Sequence, residues 1–302
     1  MNTVIFHCVS GDAFFGGFLA VAAGAILIWK TQGKRHRVGA ALILLGWIFV
    51  IVSATALPEF QYFCLAIVSL RVVVGNPRKP KDDSKESATA IDQSSKPESW
   101  KTRWCPTLCI IALGTACVEF VAHHPSQVPI SRDLPIVVIG DSLSAGINDG
   151  VDIPWPTCLD KMTSAKVSNN ALAGATCHSA INQLENLPEQ CVVIVEIGGN
   201  DLLGGRSSAE FRKDLDELLS EIKRPGRDIV MFELPLPPLF NGYGSTQREL
   251  ADVHNVALIP RRLLAAVLFT EDATLDSIHL SNDGHQQLAE RIALILGLDN
   301  LE

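Results

Sequence analysis

Several features that would assign a chain to a familiar class are missing from this sequence. Its 302 residues contain no internal repeat, and its 8 Cys and 8 His show no spacing of the kind that binds a metal. The N-terminal residues "MNTVIFHC" also lack the basic stretch that opens a cleavable secretory signal. We therefore expect neither a repeat protein nor a metal-bound module, and no cleaved signal peptide.

Positive charge is scarce in the second half of the chain. Residues 132–302 carry 13 Lys and Arg against 25 Asp and Glu, a net charge of −12. Residues 1–131 carry 12 Lys and Arg against 8 Asp and Glu, a net charge of +4. Binding a phosphate backbone requires clustered Lys and Arg. This acidic half therefore argues against nucleic acid as a partner.

Long apolar runs are abundant in the first half, and the whole chain is 47% hydrophobic. A helix needs roughly 20 apolar residues to cross a membrane, and the buried helix of a soluble core usually keeps a polar face, which these runs lack. The sequence predicts about four transmembrane helices, at 13–29, 38–57, 61–75 and 105–122. The third run is short and contains Arg71, so it either spans the membrane or lies at its interface.

The distribution of Lys and Arg predicts the orientation of these helices. Residues 1–29, 58–70 and 104–131 contain neither residue type. Positive loops are retained on the cytoplasmic side, so four spans put the N-terminus and residues 132–302 outside, in the periplasm or beyond the cell. The polar stretch 76–103 is rich in Lys, Asp, Ser and Pro, which predicts a flexible cytoplasmic loop. We therefore divide the chain into a membrane region, 1–131, and a second domain, 132–302.

The second domain alternates short β-rich runs with helical patterns. Strands are predicted at 135–140, 165–169, 191–198, 228–235 and 256–260. The clearest helix opens with a capping box of Ser207 and Glu210, and another runs from about Gly284 to Leu296. Such alternation predicts an α/β fold with a parallel sheet and helices on both faces. Ligands of such sheets bind outside the carboxyl ends of the strands.

The predicted strand ends and the loop before the last helix present the groups that acyl transfer needs. A serine such as Ser142 becomes nucleophilic when a base takes its proton, and a carboxylate must orient that base. Asp276 and His279 are three residues apart and can pair locally. Backbone N–H groups of Ser142 and Gly174 and the side-chain amide of Asn200 would stabilise an oxyanion. Because Ser, His and Asp suffice for this chemistry, no metal or organic cofactor is implied.

Four short blocks carry a resemblance to a known family. "GDSLSAG" (140–146), the Gly of "ALAGAT", "GGND" (198–201) and "DSIH" (276–279) resemble, in order and spacing, the four blocks of the GDSL or SGNH hydrolases. The resemblance covers essentially all of 134–302 and does not extend into 1–131. The pattern of the four blocks is most similar to that of small lysophospholipase, thioesterase and arylesterase members. It implies a three-layer α/β/α sandwich of flavodoxin-like type.

The same resemblance implies a role for each block. Ser142 would be the nucleophile, His279 the base and Asp276 the acid that orients it. Ser142, Gly174 and Asn200 would form the oxyanion hole.

Ser142 and its neighbour Asp141 each have an alternative interpretation. Ser142 alone could be a helix N-cap after a strand. Asp141 could be a phosphoacceptor, but Leu143 stands where one familiar phosphatase pattern has a second Asp. We interpret Asp141 as a structural acid that shapes the turn.

Other residues compete for places in the site. His285, His178 and His254 compete with His279 for the role of the base. We interpret His285 as a helix cap or surface group, and His178 follows Gly174 closely and could face the cleft. Trp155 and the stretch 234–244 either line an acyl pocket or simply pack.

Three cysteines in this half cannot all pair. Cys191 opens a predicted buried strand and is expected to be inert, which leaves Cys158 and Cys177 as a possible disulfide in an extracytoplasmic domain.

The sequence thus predicts an integral membrane serine ester hydrolase that acts through an acyl-enzyme. Its substrate would be a small acyl ester or thioester, with lysophospholipids and O-acetylated glycans both open, and its other partner the lipid membrane. Two alternatives remain: an O-acyltransferase that uses the same acyl-serine, and a catalytically idle membrane scaffold. The oligomeric state is left open.

Overall fold

The structure is a computed structural model that describes residues 3–31, 34–74, 100–124, 127–128, 130–147, 153–276 and 278–298. The chain forms two compact units. The sheet unit consists of Met1–Asp12, Val52–Ala56 and Phe120–Glu302. The helical unit consists of Ala13–Ile51 and Leu57–Glu119. The sheet unit thus includes three stretches of the predicted membrane region 1–131, namely residues 1–12, 52–56 and 120–131.

The first half of the chain is helical throughout its described part. Its helices are α1 (Thr3–Ser10), α2 (Asp12–Lys30), α3 (His36–Val52), α4 (Glu59–Val74) and α5 (Trp100–His123). Helix α2 and the stretch Trp104–His123 of α5 are long and apolar enough to cross a membrane, and α3 is apolar but shorter. Each predicted apolar helix is present. Residues 76–99 of the predicted flexible loop 76–103 lie outside the described residues. The last four residues of the predicted loop belong to α5, which begins at Trp100.

Helix α3 ends at Val52, before the predicted end at residue 57. Ala54 adopts a left-handed backbone conformation, with φ of 45°, which no helix can continue through. The guanidinium of Arg261 donates to the Ala54 carbonyl at 2.9 Å and to Thr55 Oγ1 at 3.0 Å. The sequence pattern continues apolar to residue 57, but these contacts from a distant part of the chain draw residues 52–56 into the sheet unit.

Within the helical unit, α2 and α3 approach closely through two glycine pairs. Gly17 faces Gly46, and Gly24 faces Gly39. A Cβ atom at any of the four would lie 2.5 to 2.7 Å from the carbonyl oxygen of its partner. Small residues that let helix backbones approach in this way are typical of helix packing in membranes.

Five parallel strands form the sheet. They are β1 (Ile136–Gly140), β2 (Val167–Asn169), β3 (Cys191–Glu196), β4 (Arg227–Phe232) and β5 (Ala257–Ile259), in the order β2-β1-β3-β4-β5. This order is that of the flavodoxin-like doubly wound fold, whose ligand site lies where β1 and β3 diverge. The predicted strands and the predicted fold class are confirmed.

Helices cover both faces of the sheet. They are α6 (Ser142–Ala145), α7 (Trp155–Met162), α8 (Cys177–Ala180), α9 (Gly199–Leu203), α10 (Ser208–Ile222), α11 (Asn241–His254), α12 (Arg261–Leu268) and α13 (Asn282–Leu296). Alternate residues of β3 enter two separate cores: Val193 belongs to the same core as Phe211 of α10, and Ile194 to the same core as Leu288 of α13. The capping box of Ser207 and Glu210 opens α10 as predicted. The result is a three-layer sandwich.

Candidate active site

The turn after β1 presents Ser142 as the first residue of α6. The carboxylate of Asp141 caps this helix by accepting the backbone N–H of Leu143 at 3.0 Å. The N-cap interpretation of Ser142 is therefore wrong, because Asp141 occupies that position, and Asp141 shapes the turn as expected. A Cβ atom at Gly140 would lie 2.8 Å from Ser144 Oγ and 2.9 Å from the carbonyl oxygen of Glu196, so only glycine fits.

The end of β3 brings Asn200 against this turn. Asn200 lies in α9, and its Nδ2 donates to Asp141 Oδ2 at 3.1 Å and to the carbonyl of Ala175 at 3.0 Å. The loop after β2 is joined to β1 by a hydrogen bond from Leu172 N to the Gly140 carbonyl, 3.1 Å long. Gly174 lies in that loop, is exposed and has a φ of 79°. Three of the four blocks therefore meet at one edge of the sheet.

The fourth block holds an Asp–His pair. The Nδ1 atom of His279 lies 2.7 Å from Asp276 Oδ2, and Asp276 Oδ1 accepts the backbone N–H groups of Ile278 and His279 at 2.8 Å each. The hydrogen bond from the imidazole and those from the backbone hold the pKa of the Asp276 carboxyl well below its usual range. The carboxylate is therefore ionised at any working pH. The side chains are 54% exposed for Asp276 and 25% for His279.

The imidazole of His279 lies close enough to the turn to act on Asp141, the neighbour of Ser142. Burial raises the pKa of Asp141 to about 6, and the backbone N–H of Leu143 and the charge of an imidazolium at His279 oppose that rise. Ser142 is half-buried, and its Oγ makes no hydrogen bond within the part of the chain that the structure describes. The direct contact between Ser142 Oγ and His279 is thus not formed here. In free enzymes such contacts are often long and tighten only with substrate.

Beneath the turn lies a buried acid that sequence reasoning missed. Glu196 is the last residue of β3, in register with Gly140 and fully buried. Its Oε2 accepts from Ser144 Oγ at 2.9 Å, and Ser144 Oγ accepts from Trp155 Nε1 at 3.1 Å. Burial raises the pKa of Glu196 well above its usual range, and the nearby Asp141 raises it further. A single acid within the apolar run "CVVIVEIG" is the signal that would have found it.

The structure bears on the interpretations of two aromatic side chains. Trp155 is fully buried and its Nε1 donates to Ser144 Oγ, which agrees with the packing alternative and makes it a support of the turn. His285 is also buried, and its Nδ1 accepts the backbone N–H of Trp155 at 3.3 Å, so its interpretation as a cap or surface group is wrong. In the stretch 234–244, Phe240 is exposed and Tyr243 is buried.

Two further histidines stand apart from the Asp276–His279 pair. His178 is exposed on α8. His254 bonds through Nε2 to Asp216 at 2.6 Å.

The possible disulfide between Cys158 and Cys177 is excluded. Both thiols are free, and the two residues belong to the separate cores on opposite faces of the sheet. Cys191 is buried at the start of β3 as expected.

One group of side chains among the described residues has atoms close enough to share a cation. The ligand atoms of His178, Asp214 and Glu217 lie within 4.8 Å of one another. Asp214 already forms an ion pair with the guanidinium of Arg206, which competes with any cation there.

A serine turn, an amide and an exposed glycine meet at the carboxyl edge of a flavodoxin-like sheet, and a late loop holds an Asp–His pair. This combination defines an α/β hydrolytic enzyme. Residues 138–287 match the GDSL-like lipase/acylhydrolase family, and the chain belongs to that family. The resemblance of the four sequence blocks is thereby confirmed, and the chain is an esterase of the GDSL/SGNH type.

Two relatives and one solved structure are each similar to about half of the chain. The chain is 28% identical over 174 residues to an arylesterase of Vibrio mimicus. The aligned region covers 52% of this chain and 86% of that protein. It is 26% identical over 168 residues to thioesterase 1/protease 1/lysophospholipase L1 of Escherichia coli strain K12, which covers 52% of this chain and 81% of that protein. Among solved structures, TesA is 23% identical with a TM-score of 0.47, covering 52% of this chain and 95% of its own.

Proposed function

We propose that the chain is a membrane-anchored serine ester hydrolase that works through an acyl-enzyme on Ser142. The observation that carries this proposal is that the Ser142 turn, Asn200 and the Gly174 loop meet at the carboxyl edge of the sheet. His279, which is paired with Asp276, is close enough to this turn to act electrostatically on Asp141. Membership of the GDSL-like family supports the reaction class.

The pairing of His279 with Asp276 selects the proton positions. Nδ1–H donates to the ionised Asp276, which leaves the Nε2 lone pair to take the proton of Ser142 Oγ. The oxygen of Ser142 then attacks the acyl carbon, and Asp276 stabilises the imidazolium that forms. His279 returns the proton to the departing alcohol or thiol. Water, activated by the same base, releases the acid from Ser142.

The developing oxyanion is stabilised by three donors. As the first residue of α6, Ser142 has a backbone N–H without an intrahelical acceptor. The N–H of Gly174 lies in the exposed loop beside it. The Nδ2 of Asn200 in α9 donates to Asp141 Oδ2 and to the Ala175 carbonyl in this structure, and one of these N–H groups would turn to the oxyanion as its charge develops. Donors fixed in advance of the reaction are typically worth 10²–10³-fold each in kcat, roughly.

The composition of the sheet unit supports the proposed membrane topology. The stretches Met1–Asp12, Val52–Ala56 and Phe120–Glu302 form one compact unit, so they lie on the same side of any membrane. Two candidate spans then fall in Ala13–Ile51 and two in Leu57–Glu119, which returns the chain to that side each time. In this topology the basic stretches at 30–37 and 76–103 would lie on the opposite side, as the positive-inside rule requires of a cytoplasmic face.

The relatives support carboxylic esters or thioesters as the substrate class, since one is named an arylesterase and another a thioesterase and lysophospholipase. Lysophospholipids and O-acetylated glycans are the candidates that a membrane-anchored enzyme with an external domain would meet.

The test is hydrolysis of a short-chain nitrophenyl ester by the full chain in detergent. Wild type is expected to turn over, and Ser142→Ala is expected to lose activity to the background rate. Turnover by Ser142→Ala equal to wild type would overturn the nucleophile assignment. Product analysis with an added polyol distinguishes hydrolysis from transfer.

A further inference from the structure

A basic cavity of about 270 Å³ lies in the sheet unit, lined by the end of α5 and by parts of α12 and α13. Among the described residues, the titratable side chains of the lining are all basic: His123, His124, Arg262 and Arg291. The other lining residues are apolar. None of these residues belongs to the proposed active site, so the cavity is a separate feature of the unit.

Positive charge is concentrated in this cavity although the surrounding domain is acidic. Residues 132–302 carry a net charge of −12. Two guanidinium groups that line one cavity repel each other, so an anion is the ligand that their charges favour. The planar fork of arginine matches the oxygen atoms of a phosphate group. The lining therefore favours a phosphate ligand.

The two arginines keep donors available for such a ligand. Within the described part of the chain, Arg291 makes no hydrogen bond and no ion pair. Arg262 donates through Nε to Asp12 Oδ1 at 3.2 Å, and this is its only hydrogen bond to a described residue. The two terminal nitrogens of Arg262 and the whole guanidinium of Arg291 are thus left for an anion.

The carboxylate of Asp12 lies beside the cavity and offsets part of its charge. Its Oδ1 accepts from Arg262 and lies 3.3 Å from His123 Nε2, and its Oδ2 lies 3.5 Å from His7 Nδ1. Asp12 does not line the cavity. Its single charge offsets one of the two arginines, so a positive charge remains at Arg291.

Two candidate membrane helices end next to this cavity. Asp12 is the first residue of α2, and His123 is the last residue of α5. The stretches Asp12–Lys30 and Trp104–His123 are the ones that are long and apolar enough to cross a membrane. Because Asp12 contacts His123, these two helix ends lie at one level. In the proposed topology that level is the layer of lipid headgroups.

The apolar part of the lining favours a lipid over a free phosphate ion. Leu263 lies on α12 and Leu294 on α13, and Leu294 is 63% exposed. An amphiphile can place its phosphate at the arginines and its chains against such side chains, whereas a free ion gains nothing from them. The volume is below the ~300–1,000 Å³ of typical ligand pockets, so it suits a headgroup phosphate rather than a whole lipid.

We propose that this cavity binds the phosphate group of an anionic membrane lipid, with Arg262 and Arg291 as its contacts. The inference rests on the membrane anchorage in the proposed function and does not depend on the acyl-enzyme at Ser142.

Binding of a short-chain phosphatidylglycerol to the full chain in an uncharged detergent tests the site. Native mass spectrometry counts the bound lipid, and the rise of Tm with lipid concentration gives the affinity. We expect tighter binding of phosphatidylglycerol than of phosphatidylcholine with the same chains, because choline brings a positive charge to the arginines. Equal affinity for the two lipids would overturn the proposal.

Arg291→Gln separates this site from a general effect of charge. The variant removes a cation that has no described partner, so the fold should be kept, and the affinity for phosphatidylglycerol should fall about tenfold or more. Lys213→Gln is the matched control, because it removes one positive charge from an exposed position on α10. Equal affinity in Arg291→Gln and Lys213→Gln would overturn the proposal.

Arg262→Gln is a second variant at the site, and we expect it to weaken lipid binding as Arg291→Gln does. It also removes the partner of Asp12, so its Tm without lipid is measured first. If Arg262→Gln does not fold, Arg291→Gln decides alone.

Inorganic phosphate distinguishes the two sources of a phosphate group. At the concentrations used for the lipid, it should not raise Tm. A rise equal to that caused by phosphatidylglycerol would overturn the lipid as the ligand.

An ester hydrolysis assay on the same samples keeps this inference apart from the proposed function. Wild type that binds phosphatidylglycerol as expected but hydrolyses no ester would overturn only the esterase function. Wild type that hydrolyses ester but does not prefer phosphatidylglycerol would overturn only the lipid site.

Discussion

The imidazole Nδ1 of His279 lies 2.7 Å from Asp276 Oδ2, and the other oxygen of the same carboxylate accepts the backbone N–H of His279 at 2.8 Å. Both contacts form within four residues, so the pair does not depend on distant packing. The contacts fix the direction of the imidazole and the identity of its protonated nitrogen.

Asp276→Asn is expected to leave His279 in the wrong protonation state. The Asn oxygen would keep the backbone N–H groups, and its NH₂ would face Nδ1, which then has to accept and leaves the proton on Nε2. We expect kcat to fall on the order of 10³–10⁴-fold with little change in KM. Steady-state kinetics on a nitrophenyl ester measures this, and wild-type kcat in the variant would contradict the pairing role.

The same carboxylate predicts a pH dependence of stability. Its folded-state pKa lies well below the usual range, so it contributes stability at pH values above about 4, where it is ionised in both folded and unfolded chains. That contribution is lost as the pH falls further and the unfolded chain takes up the proton first. The Tm difference between wild type and Asp276→Asn should therefore be largest near pH 7 and shrink below about pH 4. A difference that grows on acidification would contradict this account.

Gly140→Ala is expected to distort the nucleophile turn. Its Cβ atom would meet Ser144 Oγ and the Glu196 carbonyl oxygen at under 3 Å, and the second is rigid backbone. Overpacking of this kind costs about 1–3 kcal/mol, and Ser142 two residues away would shift. Both Tm and kcat should fall. Gly114→Ala is the matched control, since nothing lies within 4 Å of its added Cβ, and equal effects in the two variants would contradict the argument.

The proposed topology predicts the sidedness of two exposed positions. In a background without reactive native cysteines, Glu221→Cys in α10 should react with an impermeant maleimide in intact cells. Arg35→Cys, in the basic connection before α3, should react only after lysis. Labelling of Arg35→Cys in intact cells, or protection of Glu221→Cys, would contradict the topology.

Local patterns were sufficient to predict much of this architecture. The strand β1, the capping box of Ser207 and Glu210 and the Asp276–His279 pair each depend on residues close in sequence. Each of these features can therefore be predicted from a few neighbouring residues.

The features that sequence reasoning missed depend on contacts between distant segments. Glu196 is buried where it accepts a hydrogen bond from the Ser144 hydroxyl, and His285 is buried where it accepts one from the backbone N–H of Trp155. Residues 52–56 join the sheet unit because Arg261 bonds to Ala54 and Thr55. The periodicity of apolar residues predicts which positions are buried in a core. It does not predict which polar side chains are buried because a distant segment supplies a hydrogen-bond partner.

The most direct test of the central claim is covalent labelling of the nucleophile. Full-length wild-type protein in detergent is treated with a fluorophosphonate, and the modified residue is located by peptide mass spectrometry. We predict one adduct, on Ser142, with labelling abolished in His279→Ala because the hydroxyl then lacks its base. No adduct on Ser142, or an adduct on another serine with equal loss of esterase activity, would contradict the account.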